Sequence, residues 1–266
     1  AVESCPVPIW LPVLGAAAAG GAAVKWARGR PPAPVRPALR ALSKADGPEA
    51  AMAARVVLGA AFDAWWAEDP EAARDWSAQR TDTFARPGDD GLGEILLVGI
   101  TGAGKSTLAN AVLGRRIAAT GSGAPVTRGV NRHRSRDGLT TLVDTEGLEL
   151  GELDVRRREH LLALAALADV VWYCVQAGGE RFQASEAELI EALAAVRPTL
   201  VVLTQALEPP AELARLIQAH HADIPVVALL AEERVLGDRT FRRGGLDALL
   251  AATRQMFDCY DPPATS

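Results

Sequence analysis

Apolar runs and amphipathic segments alternate along the chain after Gly91. The run EILLVGI at 94–100 is short and almost wholly apolar, as a strand buried on both faces is. The segment STLANAVLG at 106–114 instead places its apolar residues at helical spacing. Another apolar run, at 139–143, follows later in the chain. The pattern therefore predicts alternating strands and helices, as in an α/β domain.

Residues 38–90 have a different pattern, and we expect them to form a helical prefix. The segment that begins at Pro48 and the one that begins at Pro70 each have Glu as their next residue and Gly or Asp before the proline. These residue types are typical of a helix N-terminus. The prefix also carries several tryptophans, for which burial between the helices and the main domain is favoured over a partner-binding surface.

The N-terminal arm leaves two interpretations open. Residues 5–24 contain no charged residue and are long enough to cross a hydrocarbon core of about 30 Å as a helix. Basic residues follow them on one side only, which favours residues 1–30 as an anchor on the cytoplasmic face of a membrane. The alternative is an Ala/Gly-rich helix packed on the soluble domain or on a partner. Residues 31–37 then predict a stiff, Pro-rich linker.

Composition and charge argue against two kinds of function, polyanion binding and a disulfide or metal framework. The formal net charge of -5 and the pI near 5.5 argue against a whole-chain polyanion binder, so nucleic acid is not the expected partner. Cys5, Cys174 and Cys259 are widely separated and have no CxxC spacing. We interpret them as reduced thiols of a cytoplasmic protein rather than as a disulfide or metal framework.

The segment GITGAGKST at 99–107 fits the phosphate-loop motif G-x-x-x-x-G-K-[ST]. It follows a predicted strand and opens a predicted helix, which is the context that the motif requires. Its glycines let the backbone wrap tightly, so that amide hydrogens and the helix N-terminus point at phosphate oxygens. Lys105 is expected to bridge the β and γ phosphates, and Ser106 to bind Mg²⁺.

Two further segments complete this chemistry. Asp144 lies at the predicted carboxyl end of the strand in LTTLVDTEG, where it can hold Mg²⁺ through water. The backbone N–H of Gly147 can contact a γ phosphate and so report its presence. Between the two motifs, Thr127 in GSGAPVTRGV is available as a second magnesium ligand.

The segments GITGAGKST, PVTRG and DTEG resemble the first three motifs of a P-loop GTPase of the Era-like, translation-factor-related class. The resemblance covers roughly residues 92–257 and assigns a G domain to 91–260. It implies a three-layer, doubly wound α/β fold with a mostly parallel six-stranded sheet and the nucleotide at the carboxyl ends of the strands. It also implies GTP or GDP and Mg²⁺ as the bound cofactors.

The predicted site joins the phosphate loop, the DTEG motif and two base-side segments. Its cofactor-binding residues are Thr101, Gly102, Ala103, Gly104, Lys105, Ser106, Thr107, Asp144, Gly147, Thr204, Gln205 and Ala231. The predicted magnesium ligands are Ser106, Thr127 and Asp144. The predicted catalytic residues are Lys105, Thr127 and Gly147.

The guanine-reading motif departs from the family pattern N/T-K-x-D. Thr204 is kept, but Gln205 replaces the lysine and Leu207 the aspartate. Leucine cannot accept hydrogen bonds from guanine, a loss of about 1.5 to 3 kcal/mol. Glu208 could substitute only if the loop shifts, and the amide of Ala231 could still meet guanine O6. We expect weaker guanine selectivity, and ATP use stays open.

A second departure concerns hydrolysis. Leu148 stands where many small GTPases have a water-orienting glutamine, so we expect slow GTP hydrolysis. Glu146 and Glu149 are expected to face solvent, and RRREH at 156–160 to form the solvated face of the following helix. The leading hypothesis is a GTP-dependent switch with an unidentified effector protein; nucleotide-dependent dimerisation is left open. The alternatives are a nucleotide-binding scaffold and an ATP-using P-loop protein.

Overall fold

The computed structural model describes residues 32–78, 91–116, 129–149, 154–178 and 182–258. The candidate anchor at 5–24 and the predicted ligand Thr127 lie outside the described residues. Within the part of the chain that is described, no helix is both long and apolar enough to cross a membrane.

Six strands form one sheet in the order β2-β3-β1-β4-β5-β6. Strand β2 is antiparallel to β3, and every other neighbouring pair is parallel. The predicted mostly parallel six-stranded sheet is thus confirmed. Its strands are β1 Gly93–Gly99, β2 Val130–Arg134, β3 Thr140–Thr145, β4 Val170–Gln176, β5 Thr199–Thr204 and β6 Val226–Ala228. A separate antiparallel hairpin, which the sequence pattern did not predict, consists of β7 Arg234–Leu236 and β8 Arg239–Phe241.

Helices cover both faces of the sheet. They are α1 Arg36–Leu42, α2 Pro48–Glu68, α3 Pro70–Ala78, α4 Lys105–Leu113, α5 Val155–Leu167, α6 Ala184–Ala194, α7 Ala211–His220 and α8 Leu246–Asp258. Alternate residues of β1 enter different cores: Leu96 and Val98 pack with α1–α3, α5, α6 and α7, while Ile95 and Leu97 pack with α4 and α8. This alternation is the reason that the strand is apolar throughout.

The prefix helices share the core of the α/β layer. Val35 is fully buried, and α1 begins at Arg36, inside the segment expected to be a linker. Aromatic side chains join α2 and α3 to α5: the Trp66 ring stacks on the His160 ring with centroids 4.5 Å apart. Trp65 and Trp76 lie 5.8 Å apart beside this stack. The tryptophans therefore lie between the helices and the main domain, as the sequence suggested.

A buried ionic cluster also fastens α2 to the sheet. The Arg55 guanidinium donates to the Asp169 carboxylate at 2.5 Å and lies 3.8 Å from Glu94 of β1. Arg132 of β2 pairs with Asp63 of α2 and lies 3.9 Å from the other Glu94 oxygen. Removing one member of a buried ionic group typically costs about 3–5 kcal/mol, because its partner stays buried without compensation. The cluster thus determines where α2 sits.

Burial raises the pKa of Glu94 from 4.5 to about 7, although Arg55 and Arg132 oppose the shift. In the unfolded chain the same carboxyl ionises near its ordinary value of about 4.3. Between these two pH values the folded state therefore binds more protons than the unfolded state. The resulting stabilisation is fully present below about pH 4.5 and is lost as the pH rises through 7.

We predict that the free energy of unfolding falls between pH 4.5 and 7, by an amount on the order of 3 kcal/mol, and that Glu94→Gln removes most of this fall. Urea unfolding at a series of pH values measures it. Glu188→Gln is the matched control, since Glu188 is exposed on α6. An undiminished fall in the Glu94→Gln variant would contradict the prediction.

Candidate phosphate-binding site

The loop between β1 and α4 has the backbone of an anion-binding turn. Gly102 and Gly104 have φ angles of 84° and 78°, in the left-handed region that favours glycine. The amides of Thr101 and Ala103 are used to hold the loop, since they donate to Leu148 O at 2.8 Å and Ile100 O at 3.1 Å. The amides of Gly102 and Gly104 donate to no acceptor within the described residues. Such amides at a helix N-terminus suit phosphate oxygens.

Lys105 is 6% exposed, and its ammonium lies inside the turn. Nζ donates to the carbonyls of Gly99 at 2.8 Å and Ile100 at 3.2 Å. Burial lowers the pKa of Lys105, the Arg157 charge adds to this, and Cys174 and Asp144 oppose it. An anion bound in the loop would compensate the cost of this buried charge, so the residues present fit a phosphate group.

Two predicted magnesium ligands come together, one in the first turn of α4 and the other near the end of β3. Ser106 Oγ donates to Asp144 Oδ2 at 3.1 Å, and Asp144 is buried. A hydroxyl and a carboxylate are the hard oxygen ligands that Mg²⁺ prefers. Within the described ranges, no group of three or more His, Cys, Asp and Glu residues is arranged to hold a metal. Thr127, the third predicted magnesium ligand, lies outside the described residues.

The DTEG segment lies directly against the phosphate loop. A Cβ at Gly147 would overlap Thr101 Oγ1 and come within 2.6 Å of Thr101 Cα. The next residue, Leu148, donates its amide to Gly99 O at 3.1 Å, and its side chain is 4% exposed within the core. Leu148 therefore holds this segment in place from the inside and presents no side chain to a water molecule at the site. Glu149 is exposed as expected, and Glu146 is half-buried.

The prediction of a solvated RRREH face is wrong at three positions, since Arg157, Glu159 and His160 are half-buried. Arg157 is half-buried and donates to the carbonyls of Glu146 at 3.1 Å and Gly147 at 2.7 Å. His160 is half-buried against Trp66, as described above. Arg156 and Arg158 are exposed, in agreement with the expectation. A run of arginines contains no local signal that would single out the one that turns inward.

The base-side residues Thr204 and Gln205 contact the loop itself. Thr204 Oγ1 donates to Ala103 O at 2.6 Å, and Gln205 Nε2 donates to Gly102 O at 3.1 Å. Gln205 has a φ of 56°, which is uncommon for a residue other than glycine. Both residues were predicted to bind the nucleotide. The contacts that they make here instead hold two carbonyl groups of the phosphate loop in place.

A narrow crevice of about 10 Å³ separates the loop from these segments. It is lined by Gly104, Thr107, Thr204, Gln205, Leu230, Ala231, Glu232 and Arg234. An open cavity of about 690 Å³ adjoins it, and Ala231 and Glu232 line both spaces. Arg234 of the hairpin donates to Gln205 Oε1 at 3.2 Å. The predicted base-side residues thus meet at one place, together with Glu232 and Arg234, which the sequence had not indicated.

The suggested substitute for the missing aspartate finds no support. Glu208 is exposed and pairs with Arg239 of β8 at 3.3 Å. It does not line the crevice, and Leu207 presents a partly exposed apolar side chain beside it. Neither residue is in a position to replace the carboxylate that the family motif supplies.

Residues 94–205 match the family model described as the 50S ribosome-binding GTPase. This part of the chain, which is less than half of its length, is similar to a P-loop GTPase domain. The match runs from β1 to the end of β5, so it contains the phosphate loop, Asp144, Gly147 and Arg157. The prefix helices and the β7–β8 hairpin lie outside it. No curated protein matches the sequence significantly.

Several solved GTPase structures are similar to the chain, all at low identity. Era from Aquifex aeolicus bound to GDP·AlF4⁻ has 21% identity and a TM-score of 0.49, over 62% of this chain and 56% of that one. Era in complex with MgGDPNP and nucleotides 1506–1542 of 16S ribosomal RNA has 20% identity and a TM-score of 0.46, with the same coverage. Toc33 from Arabidopsis thaliana with Mg²⁺ and GMPPNP has 19% identity and a TM-score of 0.44, over 63% and 85%.

The chain spans little more than half the length of the two Era chains. One of the Era structures contains RNA. For the present chain, the expectation from net charge that nucleic acid is not a partner stays a prediction. The comparisons support the P-loop GTPase class and do not single out its Era-like branch.

We predict that Gly147→Ala destabilises the G domain by about 1–3 kcal/mol, because the added methyl group meets the backbone of Thr101 and forces the loop to move. Urea unfolding measures the change. Gly178→Ala is the control, since Gly178 is exposed and a Cβ there meets nothing within 4 Å. Equal stability of the two variants would show that the DTEG segment does not pack on the loop.

Proposed function

We propose that the protein binds GTP with Mg²⁺, hydrolyses it slowly to GDP and phosphate, and acts as a nucleotide-dependent switch. The observation that carries the proposal is the convergence of Lys105, Ser106, Asp144 and Gly147 on one loop within a GTPase-family domain. A buried ammonium, two hard oxygen ligands and a close-packed glycine amide are the groups that a Mg²⁺-bound triphosphate needs.

Each of these groups has a separate role in the proposal. The loop amides hold the phosphate chain, and Lys105 neutralises the β and γ phosphates. Ser106 and Asp144 would hold Mg²⁺, Asp144 through water, with Thr127 as the second ligand assigned from the sequence. When bound, Mg²⁺ supplies charge neutralisation for the phosphates. The Gly147 N–H donates to the γ phosphate and loses its acceptor after hydrolysis, which loosens the DTEG segment.

The slow rate follows from Leu148. Its side chain lies in the core, so it cannot orient the attacking water as the glutamine of many small GTPases does. The same observation favours a second candidate function, a nucleotide-binding scaffold with little or no turnover. Both candidates use the same site, and only the release of phosphate distinguishes them.

Guanine recognition needs a carboxylate that the motif after β5 does not provide. Among the described residues that line the crevice, Glu232 is the only acid. It follows Ala231, whose amide is assigned to guanine O6, and it lies at the junction of the crevice and the larger cavity. We therefore assign Glu232 as acceptor of the guanine N1 and N2 hydrogens. A purine would displace the exposed Arg234 side chain from Gln205 on entry.

Partners and location stay as proposals from the sequence. The arm at 5–24 is our candidate tether to the cytoplasmic face of a membrane. The output of the switch would be a changed surface for an effector protein, or for a second copy of the chain. ATP use remains the alternative that nucleotide competition would test.

We predict that GTP binding is saturable and Mg²⁺-dependent and that the protein releases phosphate slowly. Lys105→Ala should lower GTP affinity at least tenfold and abolish phosphate release, because the buried ammonium is lost. Isothermal titration and a single-turnover phosphate assay measure the two effects. Lys44→Ala, at an exposed lysine after α1, is the control. Binding without release would favour the scaffold, and absence of binding to any nucleoside triphosphate would refute both.

A second prediction concerns the base. Glu232→Gln should weaken GTP binding about tenfold or more and weaken ITP binding less. Inosine lacks the 2-amino group, so the carboxylate has one hydrogen bond fewer to lose with ITP. Competition titrations with GTP, ITP, XTP and ATP measure this. Glu233→Gln is the control, since Glu233 lines only the outer cavity. Unchanged GTP affinity in the Glu232 variant would exclude this residue from base recognition.

A further inference from the structure

Helix α5 connects the DTEG segment to the prefix helices, and Arg157 lies at the start of this connection. We propose that Arg157 is a positioning residue that directs the Gly147 N–H at the phosphate site, and that the contacts of α5 with α2 and α3 change with the bound nucleotide. This inference rests on the proposed function, because it requires a γ phosphate at the loop. It adds a role for the prefix, which lies outside the matched GTPase segment.

Arg157 fixes the orientation of one peptide group in the DTEG segment. Arg157 donates to Glu146 O at 3.1 Å and to Gly147 O at 2.7 Å, and its guanidinium lies 3.7 Å from the Glu146 carboxylate. Glu146 O and the Gly147 N–H belong to the same trans peptide, in which C=O and N–H point in opposite directions. By fixing the carbonyl, Arg157 fixes the direction of the amide. Within the described residues, the Gly147 N–H donates to no acceptor.

The peptide between Glu146 and Gly147 lies beside the phosphate site. Gly147 packs on the backbone of Thr101, with no room for a Cβ between them. Arg157 donates to the carbonyl of this same glycine at 2.7 Å. Arg157 is therefore close enough to the loop to act on the phosphate site, yet its donors are directed to DTEG carbonyls. Arg157 thus supports a group that contacts phosphate.

Helix α5 packs on the prefix helices α2 and α3. His160 follows Arg157 by three residues, so the two side chains leave the same face of the helix. The His160 ring stacks on Trp66 with an interplanar angle of 16°, and Glu159 accepts from Arg74 of α3 at 2.9 Å. Burial, together with the charges of Arg132 and Arg157, lowers the pKa of His160 to about 4, so the stack is neutral near pH 7. A shift of α5 therefore changes the surroundings of Trp66.

Helix α2 is also bonded to the C-terminal end of α5. Arg55 of α2 is buried on Asp169 and donates to Leu167 O at 3.2 Å, at the end of α5. The C-terminal end of α5 is thus fixed to α2, while its N-terminal end carries Arg157. A change at Gly147 would tilt the first turns of α5 against a fixed prefix. Such a tilt would change the stacking of Trp66 on His160.

The test compares affinities for GMPPNP and GDP in the full chain. Arg157→Ala should lower GMPPNP affinity about tenfold and leave GDP affinity unchanged, because GDP has no γ phosphate for Gly147. Arg157→Lys should restore part of the difference, since an ammonium can donate to one of the two carbonyls. Arg158→Ala is the matched control, because Arg158 is an exposed neighbour on the same helix. Thermal unfolding of each variant separates loss of stability from loss of positioning.

Tryptophan emission provides the second readout. Exchange of GDP for GMPPNP should change the emission of the wild-type protein, and Trp66→Phe or His160→Gln should remove the change. Arg157→Ala should remove it as well, even when GMPPNP is saturating. If the wild type binds neither nucleotide, the proposed function fails and this inference with it. If the wild type prefers GMPPNP and Arg157→Ala keeps both the preference and the emission change, the inference alone is overturned.

Discussion

The parallel pairing of β1 with β3 is the constraint on which the site depends. It sets Leu97 opposite Asp144, so the loop that follows β1 and the carboxylate near the end of β3 leave the sheet at the same edge. Ser106 consequently reaches Asp144, and Gly147 falls on Thr101. A shift of one residue in this pairing would turn Asp144 to the opposite face of the sheet.

A second constraint operates at the opposite end of the same strands. Glu94, at the start of β1, faces two arginines that come from α2 and β2. Buried ions of this kind contribute little net stability compared with apolar packing, but they accept few alternative geometries. The cluster thus gives the prefix a defined position on the sheet. Together with the aromatic contacts to α5, it makes α1–α3 part of the folded core rather than an appended arm.

The sequence predicted what depends on local spacing. The phosphate loop, its strand and its helix could be found because the chemistry lies within nine neighbouring residues at 99–107. Ser106 was assigned from the phosphate-loop motif, and Asp144 from its position at the end of a predicted strand. Arg157 was missed because its partners are carbonyls distant in sequence, which no side-chain pattern reveals. The β7–β8 hairpin was missed because strands of three residues are too short for a periodic signal. The roles of Thr204 and Gln205 required the positions of the loop carbonyls.

Gly59 shows how the ionic cluster restricts the residue type at one position of α2. Glycine inside a helix normally weakens it by roughly 0.5–1 kcal/mol relative to alanine. Here a Cβ would overlap Arg132 Nε and come within 2.6 Å of Cζ, so the guanidinium would have to leave Asp63. A helix-strengthening substitution would therefore separate the helix from the sheet contact that holds it. A larger side chain at position 59 is therefore compatible with this sheet contact only if the side chain at position 132 moves or is replaced.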